Sequence, residues 1–428
     1  MKEIFKKLIT DFQERNLSDI FPREIEVDFN SGKILSLVGV RRSGKTSCMF
    51  ALANALGQSV SKENLAYINF EDDRLFPLQL SNLDALVQGY YELYPDKKSQ
   101  QVTFFLDEVQ TVPQWEKFVR RLHDTEQCTV CVSGSSSSLL GHEIATSLRG
   151  RSLTYEIFPL SFREYLMFQG IKPNLYSSSS LAKIRHAFDK YLNWGGFPEI
   201  VSMSEPTCRK TLQSYLDLII YRDIVERHSI TNTFLLKHII KHCFSNLSSL
   251  MSVNKLFQDL KSQGLKISKN TLHQYLGYLE DAYALFRVPI ASQSAREQMR
   301  NPHKIYGIDV GLHRLFEPSQ GRNIGHMLEN IVFLECRRSG YSIRYLKSTQ
   351  EVDFLIQSPA GHQLINVCSS LHSFQTRQRE IRGMLQALEQ LTLDEGLIVS
   401  LDHEETVLEQ GKTIHITPAW KWILDMPP

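Results

Sequence analysis

Residues 33–56 read KILSLVGVRRSGKTSCMFALANAL. An apolar run of strand length, Lys33 to Val40, meets a Gly-rich turn and passes directly into a helical pattern. The turn, Gly39 to Thr46, fits GxxxxGK[ST] without deviation. Gly39 and Gly44 permit backbone conformations that other residues resist. The N–H groups around Arg42, Ser43, Gly44 and Ser47 then converge on phosphate oxygens at a helix N-terminus. Lys45 offers its charge to the β- and γ-phosphates, and Thr46 offers a hydroxyl to Mg²⁺.

Working outward, LAYINFEDD reads as a strand with an acidic end, and Leu83 to Tyr94 as a helix. QVTFFLDE reads as a buried strand, WEKFVRRLHDT as an amphipathic helix, and TVCVSGSSSSLL as a further strand and polar loop. Strands alternating with helices predict a parallel α/β sheet. The strand Phe104-Phe105-Leu106 closes on Asp107 and Glu108. Asp107 is expected in the Mg²⁺ shell and Glu108 to polarise the attacking water; this order is typical of hydrolysing ATPases. Ser133, ending the next strand, offers a hydroxyl to the γ-phosphate or the water, or simply makes a turn. Arg149 and Arg151, in LRGR, are candidates for a cation stabilising phosphoryl transfer across a subunit boundary. Glu71, Asp72 and Asp73 are read as capping residues rather than as part of the site.

From about Ser161 the pattern turns helical, and Ser177–Ser180 reads as a solvated loop between helices. Residues 252–304 carry eight Lys and Arg against four Asp and Glu. Within them, SVNKLFQDLKSQG and the segment Ile267 to Tyr283 read as helix, turn, helix. Lys266, Lys269, Asn270 and His273 lie near the start of the second helix, where side chains can meet phosphates and base edges of double-stranded DNA. Past Gly325 the α/β alternation returns.

The 428 residues balance 48 Lys+Arg against 47 Asp+Glu. That near-neutrality excludes a protein that coats DNA over its whole surface, but not a local basic face. No apolar run approaches a membrane span, and the first residues lack a signal-peptide core, so the expected setting is cytoplasmic. Seven cysteines, an odd number, fit reduced thiols. Cys128 and Cys131 sit three apart in a strand and point to opposite faces. His238, His242 and Cys243 read as a helix surface lacking a further metal ligand.

Taken together, GVRRSGKT, INFEDDRL, FFLDEVQTVPQWEKFVRRLHD, SGSSSSLL, SLRGR, PLSFREYL, WGGFPEIV, YRDIVERH, NPHKIYGIDVGL, GHMLENIVF and EVDFLI, in that order, resemble a prokaryotic family of AAA+-type ATPases. In that family a P-loop domain is followed by a helical and winged-helix region and a PD-(D/E)xK nuclease-like domain. The resemblance implies an α/β P-loop ATPase domain over 1–160, a helical linker over 161–235, a winged helix over 236–310 and a restriction-endonuclease-like α/β domain over 320–428. It implies ATP and Mg²⁺ as cofactors and a homo-oligomer. Glu329 and Asp353 match the first two nuclease positions. Asn366 and Cys368 stand where the acid and lysine belong, which predicts a degenerate centre; Glu351 keeps a further carboxylate beside it. The expected function is an ATP-hydrolysing motor or switch acting on DNA. The alternative is a nucleotide-gated protein-interaction switch.

Overall fold

The computed structural model describes residues 1–134, 148–316, 323–347, 350–358 and 361–426. The chain divides into two compact units, Met1–Phe158 and Pro159–Pro427. The second unit gathers the stretches that the sequence divides at 161, 236 and 320. The first Ser tetrad, Ser135–Ser138, lies outside the described residues.

The first unit opens with helix α1 (Lys2–Gln13). Strand β1 (Ile34–Val38) leads through the Gly-rich turn into α2 (Lys45–Leu56). There follow β2 (Leu65–Asn69), α3 (Asp84–Leu93), β3 (Val102–Asp107), α4 (Trp115–Thr125), β4 (Cys128–Gly134) and β5 (Ser152–Glu156). The strands form one parallel sheet in the order β2-β3-β4-β1-β5. Every residue of β1 and β3 is buried, as continuous apolar strands of a covered parallel sheet should be. Leu35, Leu37, Met49 and Phe105 form part of the core; burying each such side chain contributes roughly 1.5–3 kcal/mol. The Cys128 thiol approaches the Leu122 carbonyl of α4, whereas Cys131 shares a core cluster with Cys48 of α2. Register pairs Val38 with Gly134 and Leu106 with Val132. The turn after β1, the acids after β3 and the serine of β4 therefore share the carboxyl edge of the sheet, where open α/β sheets bind ligands.

The second unit begins with α5 (Phe162–Phe168), capped by a reciprocal Ser161–Glu164 box, and α6 (Ser178–Trp194). The second Ser tetrad is not a loop. Ser177 caps α6 by accepting from the Ser180 N–H, and Ser178–Ser180 form its first turn. Short Ser side chains satisfy helix N-termini, so a polar run can start a helix as readily as it makes a loop. Helix α7 (Glu205–Leu218) continues through Ile219–Glu226 in wider π geometry, and α8 (Thr233–Ser245) follows.

Strand β6 (Leu250–Met251), α9 (Val253–Ser262), α10 (Lys269–Asp281), β7 (Leu285–Val288), α11 (Ala295–Arg300) and β8 (His303–Gly307) come next. Their strands make an antiparallel sheet in the order β6-β8-β7. Leu272, Tyr275, Leu276 and Leu279 bury one stripe of α10, the spacing of an amphipathic helix.

After α12 (Val310–His313) come α13 (Ile324–Arg338), β9 (Ser342–Lys347), β10 (Glu351–Ser358), β11 (Gly361–Cys368) and α14 (Phe374–Leu391). Then β12 (Glu395–Ser400), β13 (Glu405–Glu409), β14 (Lys412–Pro418) and α15 (Ala419–Asp425) close the unit. The six strands order as β13-β14-β12-β11-β10-β9. Pairing is antiparallel among β9, β10 and β11 and parallel from β11 through β12 to β14. Among the described residues no helix is long and apolar enough to cross a membrane.

Candidate functional site

The turn after β1 is shaped by its glycines. Gly39 has φ 152°, and a Cβ there would lie 2.2 Å from the Ile157 carbonyl oxygen. Gly44 has φ 95° and caps α2, and Arg42 adopts φ 66°. Lys45 is buried, and its ammonium donates to the Gly39 and Val40 carbonyls at 3.0 and 3.1 Å. Among the described residues the buried Ser43 hydroxyl has no partner, a donor that a phosphate oxygen would satisfy. Ser47 lies in the first turn of α2.

Asp107 is the hub of the site. It is fully buried. Its Oδ2 accepts from the Thr46 hydroxyl at 2.7 Å and from the Tyr67 hydroxyl at 2.7 Å, and its Oδ1 accepts from Ser133. Burial, then the Asp107 charge, pushes the Tyr67 phenol far up, so Tyr67 serves as a neutral donor. A hydroxyl and a carboxylate side by side are the hard oxygen donors that suit Mg²⁺. Glu108 follows with φ 54°. Its N–H donates to Ser133 Oγ at 3.2 Å, and its carboxylate accepts from the Gln110 side chain. The strained backbone turns Glu108 out of the strand direction that carries Asp107.

Several partners have no adjacent signal in the sequence. Arg23 donates to the Ser43 carbonyl at 2.9 Å and to the Phe158 carbonyl at 2.8 Å, bracing the turn from the N-terminal side. Tyr67 reaches the site from a separate strand, and Gln110 lies two residues past Glu108. Glu71 was read as a capping residue, but it pairs with Arg41 of the turn at 3.8 Å. Asp72 does cap, accepting from the Arg74 N–H. Asp73 begins that short helix.

The two arginines separate. Arg151 is held by Asp124 at 3.0 Å, while Arg149 is exposed with φ 52° and has no side-chain partner among the described residues.

In the second unit, Lys266, Lys269, Asn270 and His273 are all exposed. Lys269 also donates to Asn254 at 2.9 Å and lies over the Phe257 ring. The basic count over 252–304 overstates the free charge. Arg287 pairs with Glu280, and Lys304 is buried among acids. His238 Nδ1 donates to the Phe234 carbonyl at 3.0 Å, and Cys243 is buried. Among the described residues no group of three or more His, Cys, Asp and Glu side chains is arranged to hold a metal ion.

Glu329 of α13 and Asp353 of β10 do come together. Lys304 of β8 joins them, at 3.0 Å from Glu329 Oε1, 2.6 Å from Asp353 Oδ1 and 2.8 Å from Glu351 Oε1. Tyr306, two residues on, donates to Glu329 Oε1 at 2.8 Å. Burial, reinforced by the Asp353 charge, pushes the Glu329 carboxyl up, while Lys304 and the Tyr306 hydroxyl oppose that shift. Burial alone would discharge Lys304, but the Asp353, Glu329 and Glu351 carboxylates outweigh it and hold the ammonium protonated. Asn366 is fully engaged, accepting from the Asp353 N–H and donating to Glu380. Cys368 turns its thiol to the Ser370 carbonyl at 3.2 Å, and burial raises its pKa.

A parallel sheet carrying a phosphate-binding turn, with a buried Asp-Glu pair beside it, defines an AAA-type P-loop protein. The AAA-domain family model matches residues 31–166, and a domain of unknown function (DUF8612) matches 185–318. The chain belongs to the family of the uncharacterized protein MJ1544 of Methanocaldococcus jannaschii. It is 36% identical to that protein over 438 residues, covering 99% of this chain and 96% of the relative. An uncharacterized protein of Haemophilus influenzae is 32% identical over 76% of this chain and 78% of its own length. Among solved structures, the Aeropyrum pernix ORC1 protein in complex with DNA aligns at TM-score 0.30 and 11% identity, covering 72% of this chain and 88% of that one. Cdc6p from Pyrobaculum aerophilum aligns at 0.27 and 11%, covering 69% and 87%. At such TM-scores the overlap bears on neither ligand nor partner.

Proposed function

We propose that the chain binds and hydrolyses ATP, with Mg²⁺, at the carboxyl edge of the first sheet. The observation that carries this reading is the convergence of Lys45, Thr46, Asp107, Glu108 and Ser133 on one edge. The N–H groups of Arg42, Ser43, Gly44 and Ser47 and the Lys45 ammonium hold the phosphates, and Gly39 lets the backbone turn beneath Ile157. Thr46 and Asp107 hold Mg²⁺, which neutralises charge on the phosphate oxygens when bound. Glu108 accepts a proton from the attacking water, and Ser133 fixes the Asp107 carboxylate and the Glu108 backbone. Arg149 supplies a cation to a neighbouring copy in a homo-oligomer. The decisive experiment is ATP turnover by wild type, Lys45→Ala and Glu108→Gln; equal rates in all three would sink the assignment.

In the second unit we read residues 236–310 as a winged helix, because the order helix, strand, helix, helix, strand, short helix, strand with β8 between β6 and β7 suits that fold. Residues 161–235 form a helical linker. Residues 320–428 suit a PD-(D/E)xK nuclease-like domain without nuclease activity, since Asn366 and Cys368 supply neither the acid nor the lysine. The winged helix binds double-stranded DNA through Lys266, Lys269, Asn270 and His273, and ATP state gates that contact. A second reading, a nucleotide-gated protein-assembly switch without DNA, is favoured by the withdrawal of Lys304 and Arg287 from the basic face. ATP hydrolysis stimulated by DNA supports the first reading. Nucleotide-dependent assembly with no DNA binding at low salt supports the second.

A further inference from the structure

The cluster formed by Glu329, Glu351 and Asp353 gathers three carboxylates from α13 and β10, and its cation comes from a different sheet. Lys304 lies on β8, the central strand of the three-stranded sheet, paired on one side with Leu250 and on the other with Val288. Its backbone is fixed by both neighbours, and its side chain is 3% exposed. A lysine ammonium has three donors and no acceptor. Here each carboxylate is within hydrogen-bonding distance of that one nitrogen, at 3.0, 2.8 and 2.6 Å. It hydrogen-bonds Glu329 and Asp353 and pairs with Glu351. Asp353 Oδ2 accepts from the Val367 N–H at 2.7 Å, and Glu329 Oε1 also accepts from Tyr306.

We propose that the Lys304 ammonium is the resident cation of this carboxylate cluster, seated where a nuclease-type centre would hold a divalent metal ion, so that the cluster is closed to such ions. The inference rests on reading residues 320–428 as an inactive nuclease-like domain. A metal entering the cluster would have to approach a fixed positive charge that already contacts one oxygen of each carboxylate. The same contact ties the three-stranded sheet to the six-stranded one, because the carboxylates need the lysine as much as it needs them. Asn366 and Cys368 in place of the acid and lysine, and Lys304 among the carboxylates, together suit a structural junction rather than a metal centre.

The test uses the full-length, nucleotide-free chain and Mn²⁺ as the probe, with calorimetric titration, thermal unfolding and plasmid cleavage as readouts. Wild type should show no saturable Mn²⁺ binding that depends on Asp353. Lys304→Ala should gain one Mn²⁺ per chain and unfold at higher temperature when Mn²⁺ is added, and Asp353→Asn in that background should remove both effects. Should Lys304→Ala not fold, Lys304→Met with Glu351→Gln removes one charge of each sign and leaves Glu329 and Asp353 for the ion. Wild type that binds Mn²⁺ through Asp353 but leaves DNA intact overturns the Lys304 assignment alone. Wild type that binds Mn²⁺ and cuts DNA overturns both that assignment and the inactive reading. A folded Lys304 variant that binds no Mn²⁺ overturns the proposal as well.

Discussion

The Thr46 hydroxyl donates to Asp107 Oδ2 at 2.7 Å, joining the first turn of α2 to the end of β3 across the sheet edge. Both belong to elements whose backbone is fixed by helix and ladder bonds, so their separation is set by the fold rather than by side-chain choice. The same oxygen accepts from Tyr67, and Ser133 anchors the other. Asp107 is thereby locked in one rotamer while Glu108, one residue later, is turned aside by its positive φ. Two adjacent carboxylates therefore sit in different environments.

Glu108→Gln should retain ATP and lose about 100-fold or more in turnover, the range attributed to a positioned general base. Gln110 donates to the Glu108 carboxylate and so competes with water for it. Gln110→Ala should leave ATP binding unchanged and alter turnover alone, which a binding titration beside a steady-state assay separates. Unchanged turnover in Glu108→Gln would remove Glu108 from the chemistry.

Arg149 and Arg151 should behave differently. Arg151 is engaged by Asp124 within its own chain, in an exposed pair contributing no more than ~1 kcal/mol. Arg149 is exposed and has no partner among the described residues. Arg149→Ala should lower ATP turnover about 1,000-fold if the side chain acts across a subunit boundary, and Arg151→Ala only slightly. Mixing Arg149→Ala with Lys45→Ala subunits should restore part of the activity, because each supplies what the other lacks.

How much was legible depended on whether a contact is local in the chain. The turn from Gly39 to Thr46 and the pair Asp107-Glu108 are contiguous words with strict chemical demands, and the alternation around them gave the parallel sheet. Arg23 and Tyr67 reach the site through contacts that no spacing encodes. Lys304 was misread for a physical reason. Net charge over a segment ignores the alternation of β8, which places Lys304 and Tyr306 on one face toward Glu329. A lysine at the inward position of an apolar strand is the signal that could have found it. The tetrad at Ser177 was misread because cap and loop draw on the same residues.

Asp309 carries a pH dependence. Its carboxylate accepts from the Gly196 and Gly311 N–H groups, each at 2.7 Å, clamping the WGG turn against the start of α12. A Cβ on Gly195 would lie 1.8 Å from its Oδ1. Burial pushes its pKa up to about 7. The folded state therefore holds this proton more tightly than the unfolded chain. Between about pH 4 and 7 the native state binds more protons, so stability falls as pH rises through that window, by on the order of 4 kcal/mol for a shift of this size. Denaturant unfolding of wild type at pH 5 and 8 should show the loss, and Asp309→Asn should lack it. The variant should also be less stable at pH 5 by about 1–3 kcal/mol, because its amide NH₂ would face a glycine N–H.

If α10 meets DNA, its exposed residues should divide by role. Lys266 stands just before the helix and Lys269 begins it, the second already held by Asn254. Asn270 is the second residue of the helix and His273 lies one turn further on, both exposed. Lys266→Ala should weaken binding to every duplex equally and reduce the salt slope by about 1, as expected for one lost phosphate contact. Asn270→Ala should leave the salt slope nearly unchanged and reduce discrimination between duplex sequences, costing about 1–3 kcal/mol at one base pair. Lys304→Met should not alter the slope, since that lysine is buried in the carboxylate cluster. Fluorescence anisotropy titrations from low to moderate salt, with and without ATP, read all three. A slope unaffected by Lys266→Ala would move the contact elsewhere. Absence of binding at low salt would leave the protein-assembly switch as the reading of this unit.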